Sequence, residues 1–150
     1  MMAVSTRTAV AAHALTFLAG READGLQSSA RIAESLESNP VLVRRVLGQL
    51  RSKGLVDAVE GSGGGWRLAK PAAEISLLDT YAAVEDDLTL LPTHAHPPSR
   101  NCAVGRHMQS LLEEEFCAAR RAMERQLAET SIADMHRRIQ RRESAPPISG

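Results

Sequence analysis

One run of the chain, NPVLVRRVLGQLRSKGLVDAVEGSGGGWRLAK at positions 39–70, constrains the fold more than any other. Asn39 followed by Pro40 reads as a helix start, because asparagine caps free backbone amides and proline is tolerated in the first turn. The helix predicted from Pro40 to about Lys53 places Val43, Val46, Leu47 and Leu50 in one core-facing stripe, and Gly54 ends it. Two short strand-like runs follow, LVDAVEG with Leu55, Val56 and Val59, then WRLAK, which stops at Pro71. Between them stand glycines 61, 63, 64 and 65, four of the ten in the chain. A phosphate loop of the Walker type needs Lys then Ser or Thr after its last glycine and a helix beyond; here Trp66 and Arg67 open a strand instead. A flexible linker does not fit either, since apolar strand residues flank the cluster on both sides. The remaining reading is the tip of a β-hairpin, where tight turns demand positive φ.

Two helices precede this run. Residues 5–19 carry Val10, Ala14, Phe17 and Leu18 at helical spacing, with Ser5 as the expected cap and Gly20 as the expected stop. A shorter helix, ARIAESLE, follows Ser28 and Ser29 and sets Ile32 and Leu36 on one face. Helix, helix, helix, hairpin is the order of a winged helix-turn-helix. Downstream, Ser76 caps a helix SLLDTYAAVE with Leu77, Leu78, Tyr81 and Val84 as its apolar side, and an irregular, proline-rich segment fills 86–103. A long helix from about Val104 to Glu129 then shows near-heptad apolar spacing that includes Met108, Leu111, Leu112, Phe116, Ala119, Met123 and Leu127. Too little chain remains to cover that stripe, so it predicts pairing with a second copy. Ser131 with Asp134 resembles a capping box and opens a last helix, IADMHRRIQRR. The expected fold is mainly α with a small two-stranded β wing, a winged helix-turn-helix domain plus a long dimerisation helix. Its expected parts are a DNA-binding unit at 1–85, a sensor-type loop at 86–103, dimerisation helices at 104–143 and a disordered tail at 144–150.

The 150 residues carry 18 Lys+Arg and 18 Asp+Glu, yet the charge is unevenly spread. Within 39–70 six basic residues meet only Asp57 and Glu60. On the helix face opposite the core stripe lie Val41, Arg45, Gly48 and Ser52, flanked by Arg44 and Gln49, with no acidic residue. An ordinary solvated face mixes both signs, so this face suits a polyanion. No apolar run reaches the length of a membrane span or a signal segment, which predicts a cytoplasmic protein without a membrane partner.

The run RIAESLESNPVLVRRVLGQLRSKGLVDAVEGSGGGWRLAK, with RTAVAAHALTFLA before it and ISLLDTYAAVE, NCAVG and LAETSIADM after it, resembles the Rrf2 family of bacterial transcriptional regulators over roughly residues 5–135. That resemblance implies a homodimer, joined by the long helix, that binds double-stranded DNA at a palindromic operator and represses, and it implies no enzymatic activity. It maps DNA contacts onto Arg7, Ser28, Ser29, Asn39, Val41, Arg44, Arg45, Gln49, Gly63, Gly64 and Arg67. Physically, a helix fits the major groove, where arginine reads guanine through two hydrogen bonds, while serines and free amides at helix starts suit phosphate. Trp66 is expected to pack inward and anchor the wing.

Family members that bind an iron–sulfur cluster carry three closely spaced cysteines before the long helix, whereas this chain has Cys102 alone there. A conventional cluster is therefore not expected, and the effector is left open. Cys102 can be inert. It can be a redox-sensing thiol made acidic by the following helix and by Arg100 and Arg106. With His94, His96, His107 or His13 it can ligate a metal or an atypical cluster, and with a histidine base it can act as a nucleophile. A thiol- or metal-centred redox protein with vestigial DNA binding is the alternative function. Cys117 and His13 read as packing residues.

Overall fold

The computed structural model describes residues 5–148, so the first four residues of the expected DNA-binding unit and the last two of the expected tail lie outside the described residues. The described residues form six α-helices, two short 3-10 turns (Glu22–Asp24 and Ala72–Glu74) and one hairpin: α1 (Arg7–Ala19), α2 (Ser29–Leu36), α3 (Pro40–Ser52), β1 (Val56–Val59), β2 (Gly65–Leu68), α4 (Leu77–Val84), α5 (Ala103–Ala128) and α6 (Ile132–Ser144). The strands are antiparallel, pairing Val56 with Leu68, Asp57 with Arg67, Ala58 with Trp66 and Val59 with Gly65.

The core is assembled from α1 (Val10, Ala11, Ala14, Leu15, Leu18), α2 (Ile32, Ala33), the four stripe residues of α3, and Leu55, Val56, Ile75, Val84 and Ile132. Val43, Val46, Leu47 and Leu50 are wholly buried. Truncating either leucine to alanine would cost about 2–5 kcal/mol. Trp66 and Leu68, alternate residues of β2, pack against this core, while Arg67 between them is exposed.

Several expectations are corrected. The start of α1 is Thr6 rather than Ser5, whose Oγ instead accepts from the Arg7 amide at 3.2 Å. Gly20 does end α1 as its C-cap, with right-handed dihedrals, and a Cβ there would lie 2.9 Å from His136 Nε2. Phe17 is only half-buried beneath the Arg21 guanidinium, and Leu15, not expected in the core, is wholly buried. In α4 the buried residues are Thr80 and Val84, whereas Leu77, Leu78 and Tyr81 are half-buried. Thr80 is tolerated inside because its hydroxyl donates to the Ser76 carbonyl at 2.9 Å. Val59 is exposed at the end of β1, α5 begins at Ala103, and Ser144 belongs to α6 rather than to the tail.

Two capping boxes tie the carboxy-terminal part to this core. Ser76 with Asp79 and Ser131 with Asp134 each close the reciprocal pair of hydrogen bonds. The two caps also bridge one another: Leu77 donates to the Thr130 carbonyl and Ile132 donates to the Ile75 carbonyl, both at 2.8 Å. That bridge sets Ile132 into the core and lays α6 along α1.

Candidate nucleic-acid interface

The helix-turn-helix is built by its caps. Ser28 Oγ accepts from the Arg31 amide at 3.2 Å and starts α2; Asn39 Oδ1 accepts from the Val41 amide at 2.8 Å and starts α3. Between them Glu37 takes left-handed dihedrals, φ 49°, and Ser38 donates back to the Ala33 carbonyl at 3.1 Å, closing the turn tightly without glycine. The side-chain oxygens of Ser28 and Asn39 are therefore committed to capping, which leaves the Asn39 amide nitrogen and the half-buried Ser29 hydroxyl for other partners.

With the stripe of α3 turned into the core, its opposite face is solvent-exposed. Val41 is 60% exposed, Arg44, Arg45, Gly48 and Ser52 are exposed, and Gln49 is half-buried with its Oε1 lacking a partner. Among the described residues Arg44, Arg45 and Arg51 form no ion pair. Arg67 is also unpaired there, although Asp57 stands opposite it across the hairpin, a cross-strand neighbour of opposite sign that sequence reading missed. Arg7 is placed differently: its guanidinium lies 3.7 Å from Glu85 and 3.2 Å from Asp86, so the end of α4 already holds it.

The wing glycines answer first to the protein's own backbone. Gly61 and Gly63 have φ of 91° and 76°. A Cβ on Gly64 would sit 2.0 Å from the Val59 carbonyl oxygen, and one on Gly65 would sit 2.7 Å from that of Gln27. Gly61 and Gly63 face open space, where a Cβ would meet nothing within 4 Å.

On the other side of the core, α5 carries no buried residue along 26 positions, a length of about 39 Å. Met108, Leu112, Phe116, Met123 and Leu127 are half-buried, while Leu111 and Ala119 are exposed. Against α4 it meets Tyr81, whose pKa is raised by burial first and then by Glu85 and Glu124. The loop before α5 is pinned to its first turn: a Cβ on Gly105 would fall 1.9 Å from the Ser99 carbonyl oxygen, and Arg106 donates to the Arg100 carbonyl at 2.9 Å. Gly105 was not singled out from sequence, where its signal is its place at the end of the NCAVG run, three residues after Cys102.

Cys102 occupies the N-cap position of α5 and is exposed. The backbone amides of Gly105 and then Val104 hold its thiol below the ordinary range. The two arginines expected to acidify it do not do so. Cys117 is half-buried beside Leu90, Leu91 and Phe116 around a cavity of about 240 Å³. His94, His96 and His107 are exposed, and His13 is not a core residue but lies on the outer face of α1 with its Nε2 2.8 Å from Ser35 Oγ. Among the described residues no three of His, Cys, Asp and Glu converge as metal ligands. The donor set within one chain thus does not fit an iron–sulfur cluster.

Three packed helices with a basic, carboxylate-free third helix, a short wing and a long helix beyond define a winged helix-turn-helix transcriptional regulator. The chain belongs to the Rrf2 family, described as iron-dependent transcriptional regulators, whose model matches residues 4–138. It is 37% identical over 132 residues to YwnA of Bacillus subtilis, named as an HTH-type transcriptional regulator, covering 88% of this chain and 96% of that one. It is 34% identical over 96 residues to the HTH-type transcriptional regulator IscR of Cereibacter sphaeroides, covering 63% of this chain and 62% of that one. Among solved structures, Staphylococcus aureus CymR superposes with a TM-score of 0.67 at 25% identity, over 88% of this chain and 96% of that one. T. potens IscR superposes with a TM-score of 0.71 at 23% identity, over 97% and 93%, a likeness of fold. The family and these relatives are DNA-binding regulators of transcription and not enzymes. No helix among the described residues is long and apolar enough to cross a membrane.

Proposed function

We propose that the protein is a homodimeric repressor that reads a palindromic operator through α3, with the wing on the neighbouring backbone. The observation that supports this reading is the exposed face of α3, where Arg44 and Arg45 stand free of carboxylates beside Val41 and Gln49. Val41 offers an apolar contact for a thymine methyl, and the arginines offer bidentate donors for guanine. Ser29, Asn39, Gly63, Gly64 and Arg67 would supply the phosphate contacts; Ser28 would serve through the amides it orients, and Arg7 only by leaving its carboxylate partners.

Dimerisation gives the stripe of α5 a partner surface, and a two-fold dimer presents two identical recognition helices, which calls for a two-fold operator. The exposed, acidified Cys102 supports a redox response, because the thiolate is the reactive form. Fluorescence anisotropy of a labelled duplex from the region upstream of the protein's own coding sequence tests the reading. Tighter binding than to a shuffled duplex at moderate salt is expected. Equal binding to both would overturn it in favour of a redox protein with vestigial DNA contact.

A further inference from the structure

A cavity of about 550 Å³ opens between α1, α2 and α6 on the side of α1 turned away from α3. Its walls are apolar: Ala9, Ala12 and Phe17 of α1 face Met135 and Ile139 of α6. Volume and lining are those of small-molecule sites, which combine an apolar body with a few polar groups.

The polar groups here have a definite character. No carboxylate lines the cavity, although the chain has as many acidic residues as basic ones. Arg21 stands at its rim with the guanidinium 3.7 Å from the centre of the Phe17 ring, and among the described residues it pairs with no acid. The ring fixes the side chain and leaves its donors free. His13 and Ser35, joined at 2.8 Å, and Thr16 lie further along, and the His136 ring rests on the backbone of Gly20. Thr16 is already satisfied by the Ala12 carbonyl at 2.7 Å. Partial burial lowers the His13 pKa, and the permanent cation at the cavity is Arg21.

We propose that this cavity binds a small amphipathic carboxylate, its apolar body lying against Ala12, Phe17 and Ile139 and its carboxylate held by Arg21. Such an occupant would touch the first helix, the helix-turn-helix and the terminal helix at once. The site stands independently of the repressor reading, because it is tested by ligand binding alone.

The test titrates the full-length protein with octanoate and, separately, with 1-octanol, following backbone amide shifts by NMR. Octanoate should bind saturably, with the largest shifts at Ala12, Thr16, Gly20, Ser35 and Ile139, and at least about tenfold more tightly than the alcohol, the scale of one charge-assisted contact. Arg21→Gln, a surface change that leaves the core intact, should reduce that preference to below about twofold by the same measure. Ala12→Phe, checked for native circular dichroism, should weaken both ligands by filling the cavity. Equal affinity for acid and alcohol, shifts centred elsewhere, or no saturable binding would each overturn the proposal.

Discussion

Gln27 and Trp66 exchange both backbone hydrogen bonds, Gln27 N to the Trp66 carbonyl at 3.0 Å and Trp66 N to the Gln27 carbonyl at 2.8 Å. Gln27 is 2% exposed, so the segment between α1 and α2 acts as a one-residue third strand beneath the wing. The wing is thereby fixed to the same loop that leads into the helix-turn-helix, and its angle is set by the core rather than by the hairpin alone.

Gly65→Ala should therefore cost stability out of proportion to one methyl group. The added carbon would sit 2.7 Å from the Gln27 carbonyl oxygen, an overpacking that costs about 1–3 kcal/mol. Gly63→Ala, in open space at φ 76°, bears only the conformational cost of about 1–2 kcal/mol. Thermal denaturation of both variants should rank Gly65→Ala as the less stable, and the reverse order would refute the wing-docking account.

Arg45→Ala should remove discrimination between operator and random duplex, a loss of about 1–3 kcal/mol, while most of the salt dependence survives. The salt slope counts phosphate contacts, and one base-reading arginine contributes little to it. Anisotropy titrations at several salt concentrations separate the two quantities. A variant that binds every sequence uniformly more weakly would reassign Arg45 to the backbone.

Leu112→Glu or Met123→Glu should convert the protein to monomer or aggregate in sedimentation velocity. Both side chains are half-buried on a helix with no buried residue, so their remaining surface is available to a second α5. Burying an unpaired carboxylate there carries a large desolvation penalty. An unaltered dimer in both variants would place the interface elsewhere.

What could be read in advance divides along physical lines. The α3 stripe, both downstream caps and the glycine tip were legible, because periodicity and cap chemistry are local and strong. Gly105 was not, since its need for a missing Cβ arises from the Ser99 carbonyl, a partner in the irregular loop before α5. Arg7 shows the same limit: its sequence neighbours suggest a free cation, and only folding brings Glu85 and Asp86 to it. Trp66 was expected inward and is half-buried against the core, but its backbone exchange with Gln27 had no sequence signature.

Cys102 should alkylate faster than a free thiol at neutral pH, with a rate midpoint below the ordinary value of about 8.5. Its depressed pKa comes from the amides of Gly105 and Val104, which favour the thiolate in the folded state. The resulting stabilisation is present above the unfolded thiol pKa and is lost as pH falls through the folded one. Iodoacetamide rates across pH, with site assignment by mass spectrometry, measure this. A midpoint at or above that of a free cysteine would remove the electrostatic basis for sensing.

Asp134 supplies the last test, through the cap that joins α6 to the core. Its pKa is lowered by hydrogen bonds from the Ser131 backbone and side chain first, and then by Arg137. A carboxylate with a depressed folded pKa stabilises above its unfolded value, near 3.9, and that contribution disappears as pH falls through the folded value. Wild type should thus exceed Asp134→Asn in stability near neutral pH, and the gap should close under acid conditions. Ser131→Ala, which removes the reciprocal oxygen and one of the contacts that lower the Asp134 pKa, should cost about 1 kcal/mol near neutral pH, and part of that gap should also close in acid. Urea titrations at pH 7 and in acid decide the matter: a gap that widens on acidification would mean that Asp134 is destabilised by its surroundings and that the cap does not hold α6 in place.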